Sequence, residues 1–485
     1  MTNRKQKENK LPLHDAETTE NRPEARMSTQ MSTRRQFLAG TAAIPASLAM
    51  FQLIPSRLVC GENANPVRTF KANEKVNVAC VGVGAMGATN LRELTSLGAN
   101  IVGLCDVDGR TLAKQTKNYP RAKTWSDFRK MLDKQKEIDA VMVSTPDHLH
   151  YHMSMWAMQR GKGVCTEKPM AHSVWEARQM AEAARKYKVA TQMDNEGHGK
   201  DSLRSGVEWL KADAIGDVRE VHIWTDRPIW PQGMANRPPS KPVPESLNWD
   251  LWIGPAPFRE YHDGLHRFKW RGWWDFGCGA LGDMGCHHFD TAVWGLELGS
   301  PVSVEAEQEG NTAEGAPNWS IVTYKFAARK GKGGPQEGKD LPPVTLKWYD
   351  GGKMPSFPPL LEKEHYASRR PGGSYYVGDK GMMFIDGVAN PRLVPKAKMS
   401  EFKDMQPFIP RVKSHKAEWL DAVKGGPLCG CDFGLFGSHL AETVLLGNVA
   451  IRSGKKIEWD SENLKATNTD VSQFLRREYR KGWEI

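Results

Sequence analysis

A glycine-rich turn early in the chain has the composition of a phosphate-binding site. It reads VGVGAMG at 81–87 and lies between an apolar, β-branched run and a helical pattern. Three glycines at this spacing permit a tight turn, a close backbone approach to a phosphate and tight packing of helix on strand, and the helix N-terminus attracts anions. We therefore predict a dinucleotide site, with a structural glycine turn as the alternative. Its turn residues are Gly82, Gly84, Ala85, Met86 and Gly87.

An acidic residue lies where it can distinguish the two nicotinamide dinucleotides. Asp106 follows a second predicted strand and stands 19 residues after Gly87. A carboxylate there can accept hydrogen bonds from ribose hydroxyls and repels a 2′-phosphate. We predict NAD as the cofactor, while Arg110 nearby keeps NADP open.

Two later turns are expected to face the same ligand. They read STPDHLH at 144–150 and TEKP at 166–169, and the carboxyl ends of parallel strands line the ligand crevice of such a fold. A positioned ammonium could also polarise a hydroxyl or carbonyl, so Lys168 is in addition a candidate catalytic residue. An ordinary surface lysine is the alternative. The candidate cofactor contacts in these turns are Thr145, Pro146, His150, Glu167 and Lys168.

A carboxylate and an imidazole stand four residues apart in the segment GALGDMGCHHFD at 279–290. In a helix Asp283 and His287 would project from one face. A neighbouring carboxylate orients an imidazole and raises its pKa, which would equip His287 to take the proton of an alcohol as hydride leaves the carbon. The alternatives are a structural histidine and a metal site that adds His288 and Asp290. We expect no metal, because no HExxH-type arrangement occurs.

Aromatic residues are concentrated between residues 224 and 294. Tryptophans lie there at positions 224, 230, 249, 252, 270, 273, 274 and 294. Flat indole faces stack on sugar CH groups, although tryptophan is equally ordinary core material. The candidate substrate contacts in and near this region are Asn195, His198, Arg227, Trp230, His266 and Arg271.

The pattern of strands and helices predicts an α/β protein. Strands separated by helices indicate a parallel sheet covered on both faces, and they are expected at 76–83, 100–105, 138–145, 163–166 and 189–193. Strands that follow one another without helices indicate an antiparallel sheet, and they are expected at 302–307, 320–326, 344–349 and 381–385, after a strand at 218–224. Helices are expected at 202–214, 411–423 and 437–452.

The N-terminus carries STRRQFL at 32–38, before a mildly apolar stretch. This resembles a twin-arginine export signal, with a chance arginine pair as the alternative. We therefore expect a polar extension at 1–30, a signal segment at 31–60, a Rossmann domain at 75–195 and a substrate-binding and oligomerisation domain at 196–485. Because this route carries folded proteins, an exported, periplasmic protein would hold a tightly bound cofactor. Cys60 follows Leu58 and Val59, which disfavours a lipid anchor.

Composition excludes several other classes of protein. The net charge of +10 is spread along the chain rather than clustered, so we expect no nucleic-acid partner. The 8 cysteines include no CxxC pair, which disfavours a zinc ribbon or a disulfide framework. We identify no apolar run beyond the signal segment that reaches the roughly 20 residues of a membrane span, so no stable membrane insertion is expected.

Five of these motifs together resemble the Gfo/Idh/MocA oxidoreductases, a family that includes glucose-fructose oxidoreductase and inositol dehydrogenase. They are the glycine turn, CDVD at 105–108, STPDHLH, EKP and the 279–290 segment. The resemblance implies a Rossmann domain, a C-terminal α/β domain with a large open, mainly antiparallel sheet, and a homo-oligomer formed through that sheet. It also implies a catalytic trio, which falls on Lys168, Asp283 and His287.

We expect hydride transfer between nicotinamide and a secondary alcohol of a sugar or polyol. His287 would act as general acid and base, Asp283 would orient it, and Lys168 would stabilise the developing alkoxide. Two alternatives remain open. The first is an NAD-dependent glycosidase that works through transient oxidation and elimination, and the second is a non-catalytic dinucleotide- or sugar-binding protein.

Overall fold

The computed structural model of the protein describes residues 69–71, 73–364 and 372–485. These residues all belong to one compact unit, which spans Ile54–Ile485. The predicted twin-arginine segment, with Arg34, Arg35 and Cys60, lies outside the described residues.

A six-stranded parallel sheet in the order β3-β2-β1-β4-β5-β6 forms the N-terminal domain. Its strands are β1 Asn77–Val81, β2 Asn100–Cys105, β3 Lys123–Trp125, β4 Ala140–Val143, β5 Gly163–Glu167 and β6 Thr191–Asp194. Its helices are α1 Ala85–Ser96, α2 Gly109–Asn118, α3 Phe128–Lys134, α4 Asp147–Met158 and α5 Val174–Tyr187. Helices cover both faces, so every residue of β4 and β5 is buried. The predicted Rossmann fold is confirmed.

A nine-stranded sheet in the order β15-β14-β13-β7-β12-β9-β8-β16-β17 forms the C-terminal domain. Neighbouring strands are antiparallel except β7 and β12, which are parallel. The expected open antiparallel sheet is therefore present as a mixed, mostly antiparallel one. Its strands, with the short hairpin β10–β11, are β7 Val218–Thr225, β8 Ser303–Glu309, β9 Trp319–Phe326, β10 Arg329–Lys330, β11 Asp340–Leu341, β12 Val344–Tyr349, β13 Gly372–Gly378, β14 Met382–Asp386, β15 Asn390–Val394, β16 Ile457–Asp460 and β17 Lys465–Ala466.

The helices of the C-terminal half bury one face of this sheet and connect the two domains. They are α6 Asp201–Lys211, α7 Trp249–Ile253, α8 Gly279–Gly295, α9 Pro359–Lys363, α10 Lys398–Glu401, α11 His415–Val423, α12 Ser438–Ser453 and α13 Ser472–Leu475. Helix α11 begins later than the sequence suggested, because the Ser414 hydroxyl caps it by accepting from Ala417 N. Helices α8 and α12 pack tightly, since a Cβ at Gly285 would lie 2.7 Å from Val444.

One helix in the described residues is long and apolar enough, by length and composition alone, to cross a membrane. It spans Phe433–Ser453, where a π-helical turn leads into α12, with a mean hydropathy of 1.2. Its most apolar window is 78% buried within the protein. The helix owes its apolar character to packing in the core beside α8 and α5.

Candidate active site

The glycine turn has the geometry that a bound pyrophosphate requires. Gly82 has a φ of +76°, and a Cβ at Gly87 would lie 1.8 Å from the Gly82 carbonyl oxygen. Helix α1 begins immediately after Gly84, and no side chain caps its first amides. Unpaired amides at the start of a twelve-residue helix bind anions, so these residues fit a dinucleotide.

Asp106 holds this turn in place. Its Oδ2 accepts from Val83 N and its Oδ1 accepts from Asp108 N, both at 2.9 Å. Each oxygen keeps a further lone pair for a ribose hydroxyl, which is the role predicted from the sequence. Burial raises the pKa of Asp106, and the two backbone bonds only partly oppose that effect.

A loop of the C-terminal domain closes over the end of β2. Arg267 donates to Asp108 Oδ2 at 2.7 Å, and Arg110 pairs with Asp108 Oδ1 at 3.3 Å. Burial opposes ionisation of Asp108, but the bonds from Arg110 outweigh it and hold its pKa at about 2. The charges of Asp108, Arg267 and Arg110 act on the His266 ring. We predicted a substrate contact at His266, and the structure places it instead beside the segment that follows β2.

His150 links the two turns that follow β4 and β5. Its ring nitrogens lie 2.8 Å from the carbonyl oxygens of Thr145 and Pro169, and the residue is 1% exposed. We predicted that His150 contacts the cofactor, and in this structure both of its ring nitrogens face the protein backbone. Asn90 of α1 connects the same strand ends, donating to Ser144 and Glu167.

Lys168, Asp283 and Arg271 form a cluster between the domains. Lys168 Nζ donates to the Asp283 carbonyl at 2.6 Å and to its Oδ1 at 3.3 Å, and Arg271 Nε donates to the same Oδ1 at 3.2 Å. Burial would lower the pKa of Lys168, but the carboxylates of Asp283, Glu167 and Asp147 outweigh it and raise that pKa. Burial likewise opposes ionisation of Asp283, yet its cationic neighbours lower its pKa. Lys168 and Asp283 are thus charged.

His287 projects from α8 one turn after Asp283, as the spacing predicted. Its Nδ1 is buried and has no hydrogen-bond partner in the described part of the chain. Burial, Lys168 and His288 lower the pKa of His287 well below its usual value, and Asp283 opposes them only in part. The predicted rise in pKa is wrong, because the Asp283 carboxylate is bonded to two cations. The imidazole is neutral and can accept a proton.

Asp147 is a buried carboxyl group in this cluster that the sequence analysis missed. It opens α4, and its Oδ2 accepts from Cys278 N at the start of α8, at 3.1 Å. Burial raises its pKa to about 7, against the opposing charges of Arg271 and Lys168. Its position after the strand end in STPDHLH was the available signal.

Asn195 and His198, which we predicted as substrate contacts, are buried and bonded to another side chain of the protein. They are 0% and 1% exposed, and both bind Asp290: Asn195 Nδ2 donates to Oδ2 at 2.6 Å, and His198 Nδ1 lies 2.9 Å from Oδ1. His198 also stacks on Trp294 with ring centroids 4.1 Å apart. Within the described ranges, no group of three or more His, Cys, Asp or Glu residues could hold a metal ion.

The other predicted substrate contacts lie at different distances from the cluster. Arg271 is part of it and also stacks on Trp270 at 4.4 Å. Trp230 is 6% exposed, and the Arg271 guanidinium lies 5.8 Å from its ring. Arg227 pairs with Asp226, and its charge acts on His288.

The chain matches two family models in succession. The Rossmann-fold NAD-binding domain of the Gfo/Idh/MocA oxidoreductase family matches residues 76–195, and the family's C-terminal α/β domain matches residues 223–331. A glycosyl hydrolase family 109 protein of Shewanella putrefaciens is 30% identical over 193 residues, and an α-N-acetylgalactosaminidase of Shewanella oneidensis is 28% identical over 193. Each match covers 35% of this chain and only 41% of the relative.

Solved structures share the fold over most of the chain. The WlbA dehydrogenase of Bordetella pertussis, in complex with NADH and UDP-GlcNAcA, has a TM-score of 0.54 at 18% identity, over 80% of this chain and 99% of that one. An aldose-aldose oxidoreductase of Caulobacter crescentus, complexed with glycerol, has a TM-score of 0.51 at 17% identity, over 80% and 100%. This chain therefore matches both domain models of the Gfo/Idh/MocA oxidoreductase family, the NAD-binding Rossmann domain and the C-terminal α/β domain.

Proposed function

We propose that the protein transfers a hydride between the nicotinamide of NAD and a secondary alcohol carbon of a sugar or polyol. The observation that carries this proposal is the position of the Lys168–Asp283–Arg271 cluster and the neutral His287, at the carboxyl ends of the strands that follow the glycine turn. Nicotinamide supplies a hydride acceptor when the cofactor is bound. Ligands of sheets of this type bind at this edge.

Each residue of the cluster has a role that follows from its charge. His287 is uncharged, so it can accept the hydroxyl proton as the alcohol is oxidised and return it in the reverse direction. Lys168 is cationic and stabilises the alkoxide that develops. Asp283 is a positioning residue, because it holds Lys168 and Arg271 together and fixes where their positive charge lies.

The relatives support a carbohydrate substrate. One fold neighbour was solved with UDP-GlcNAcA, and another is named as an aldose-aldose oxidoreductase. The planar guanidinium of Arg271 lies against the ring of Trp270. Such a pair can bind a polyhydroxylated ring or a carboxylate attached to it.

The test is a panel of sugars, polyols and uronic acids monitored at the nicotinamide absorbance, with Lys168→Met and His287→Ala alongside the wild type. We expect reduced nicotinamide to accumulate with at least one substrate, and both variants to lose that activity while they still bind NAD. Failure of every substrate to reduce bound NAD would contradict the proposal.

A glycosidase reaction is the second candidate, because the curated relatives include an α-N-acetylgalactosaminidase. Transient oxidation of a ring hydroxyl makes the neighbouring C–H acidic, which permits elimination of the glycosidic oxygen. Water then adds to the resulting unsaturated ketone, and the return of the hydride restores the hydroxyl. The chain has a second proton-handling group for this sequence, since Asp147 has a pKa of about 7. Hydrolysis of nitrophenyl glycosides without net NAD reduction, with solvent deuterium incorporated beside the oxidised carbon, would favour this reaction over net redox chemistry.

We further propose that the protein is exported through the twin-arginine route with its cofactor tightly held. The motif at 32–38 supports export, and the loop that closes over β2 through Arg267 supports retention of the cofactor. Fractionation of cells that produce the full chain, with Arg34→Lys/Arg35→Lys as control, tests export. Mass spectrometry of the released nucleotide identifies NAD or NADP. Light scattering tests the proposed homo-oligomer.

A further inference from the structure

Two buried carboxyl groups face each other beneath the crevice. Glu167 and Asp194 end the neighbouring strands β5 and β6 and are directly paired in register. They are 9% and 2% exposed, so both carboxyl groups are largely removed from solvent at neighbouring positions of the sheet. Two buried carboxylates at adjacent positions repel each other, and a proton on one of them removes that repulsion. Lys416 binds both oxygens of Asp194, since its Nζ donates to Oδ1 at 3.2 Å and lies 3.1 Å from Oδ2.

The surroundings of the pair cannot neutralise two negative charges. Lys416 of α11 is the cation on one side, with a side chain that is 0% exposed, and it lies 3.1 Å from Asp194, 3.3 Å from Glu196 and 3.0 Å from Glu93. The single ammonium group of Lys416 therefore pairs with three carboxyl groups, and Glu167 is a fourth.

On the other side of the pair the groups are largely neutral. Asn90 Nδ2 donates to Glu167 Oε1 at 2.9 Å, and the same amide donates to the Ser144 hydroxyl at 3.0 Å. Burial keeps the Cys165 and Cys429 thiols protonated. Lys168 is the second cation near Glu167, and it is bonded to Asp283.

The pair supports the elements that bind the dinucleotide. Through Asn90 it holds α1, whose N-terminus forms the anion site, and through the chain it holds Lys168. A second negative charge at this position would repel an anionic dinucleotide bound at the start of α1.

We propose that Glu167 and Asp194 share a single proton, so that the pair carries one negative charge rather than two, and that this singly protonated pair is a positioning element which lets the anionic dinucleotide occupy the crevice. The proposal deepens the proposed function but rests only on dinucleotide binding. Burial, and next the charge of Asp194, raise the pKa of Glu167, and burial raises that of Asp194. The proton is therefore present at neutral pH and is lost as pH rises through the pKa of the pair.

The experiment measures NAD affinity as a function of pH by quenching of tryptophan fluorescence. Wild-type affinity should fall on the alkaline side, by up to about tenfold for each pH unit above the pKa of the pair. Glu167→Gln should abolish that fall, because the amide is neutral at every pH and can donate to Asp194. The matched control is Glu182→Gln, an exposed position on α5, which should keep the wild-type pH dependence.

Either of two results would overturn the proposal: wild-type affinity that does not change with pH, or an alkaline fall of equal slope in Glu167→Gln. If Glu167→Gln does not fold, infrared spectroscopy of the wild type tests whether the pair holds a proton. The shared proton is supported by a protonated carboxyl band that is present at neutral pH, disappears at alkaline pH and is missing in Asp194→Asn. Absence of this band from the wild type at neutral pH refutes the shared proton. Absence of turnover with every sugar would contradict the proposed function without altering these binding measurements.

Discussion

Replacement of Asp283 by asparagine is the sharpest test of the catalytic cluster. The substitution preserves the size of the side chain and leaves a neutral oxygen that can still accept from Lys168 Nζ and Arg271 Nε. Only the charge is removed. Two ion-pair hydrogen bonds become bonds from a cation to a neutral oxygen, each weaker by about 1 kcal/mol.

The loss should therefore reach about 2 kcal/mol of transition-state stabilisation, or roughly thirtyfold in kcat/KM. The pH profile should also shift, because Asp283 is the largest of the charges that raise the pKa of Lys168. Without that charge, Lys168 loses its proton at lower pH, so the alkaline limb of activity should move toward neutral pH.

Stopped-flow measurement of hydride transfer across the pH range provides the assay. Asp263→Asn is the control, since Asp263 pairs with Lys241 at an exposed position and its side chain is 64% exposed. A rate and an alkaline limb equal to those of the wild type in Asp283→Asn would refute the assignment of Asp283 as the residue that positions the two cations.

Three other substitutions have clear expected outcomes. Gly87→Ala should abolish NAD binding and lower the Tm in calorimetry, since its Cβ would overlap the Gly82 carbonyl at 1.8 Å. His287→Ala should lower kcat by about 10²–10⁴-fold with the Kd for NAD preserved. Because the pKa of His287 is lowered, its imidazole stays unprotonated as pH falls through 6.5. A wild-type pH–rate profile in which activity falls with an apparent pKa of 6.5 would contradict the role of His287 as the base. Lys416→Met should destabilise the protein by about 3–5 kcal/mol in urea unfolding, since it leaves Asp194 and its acidic neighbours without their cation.

Local patterns were enough to predict the glycine turn and the shared helix face of Asp283 and His287. Both depend on the periodicity of one continuous segment. Strand β13 was missed because it reads GGSYYVG, and glycine is rare within strands. Its glycines serve the packing: a Cβ at Gly372 would lie 3.1 Å from His288, and one at Gly373 would lie 2.8 Å from Trp224.

Charge states could not be derived from the sequence, because they depend on partners far apart in the chain. The pairing of Asp283 with His287 predicts a raised pKa only while the carboxylate is free. Lys168, 115 residues away, and Arg271 bind that carboxylate, so the imidazole experiences burial and a nearby cation instead.

The same reasoning applies to Lys416, which lies in the first turn of a helix where lysine is ordinarily solvent-exposed. Asp194 is its partner across 222 residues, and only the docking of α11 against the end of β6 brings them together. Because that docking also brings the charge of Lys416 to the pair that holds α1 and Lys168, the C-terminal half of the chain contributes to the electrostatics of the dinucleotide site in the N-terminal domain. The protonation of that site is therefore a property of the two domains together.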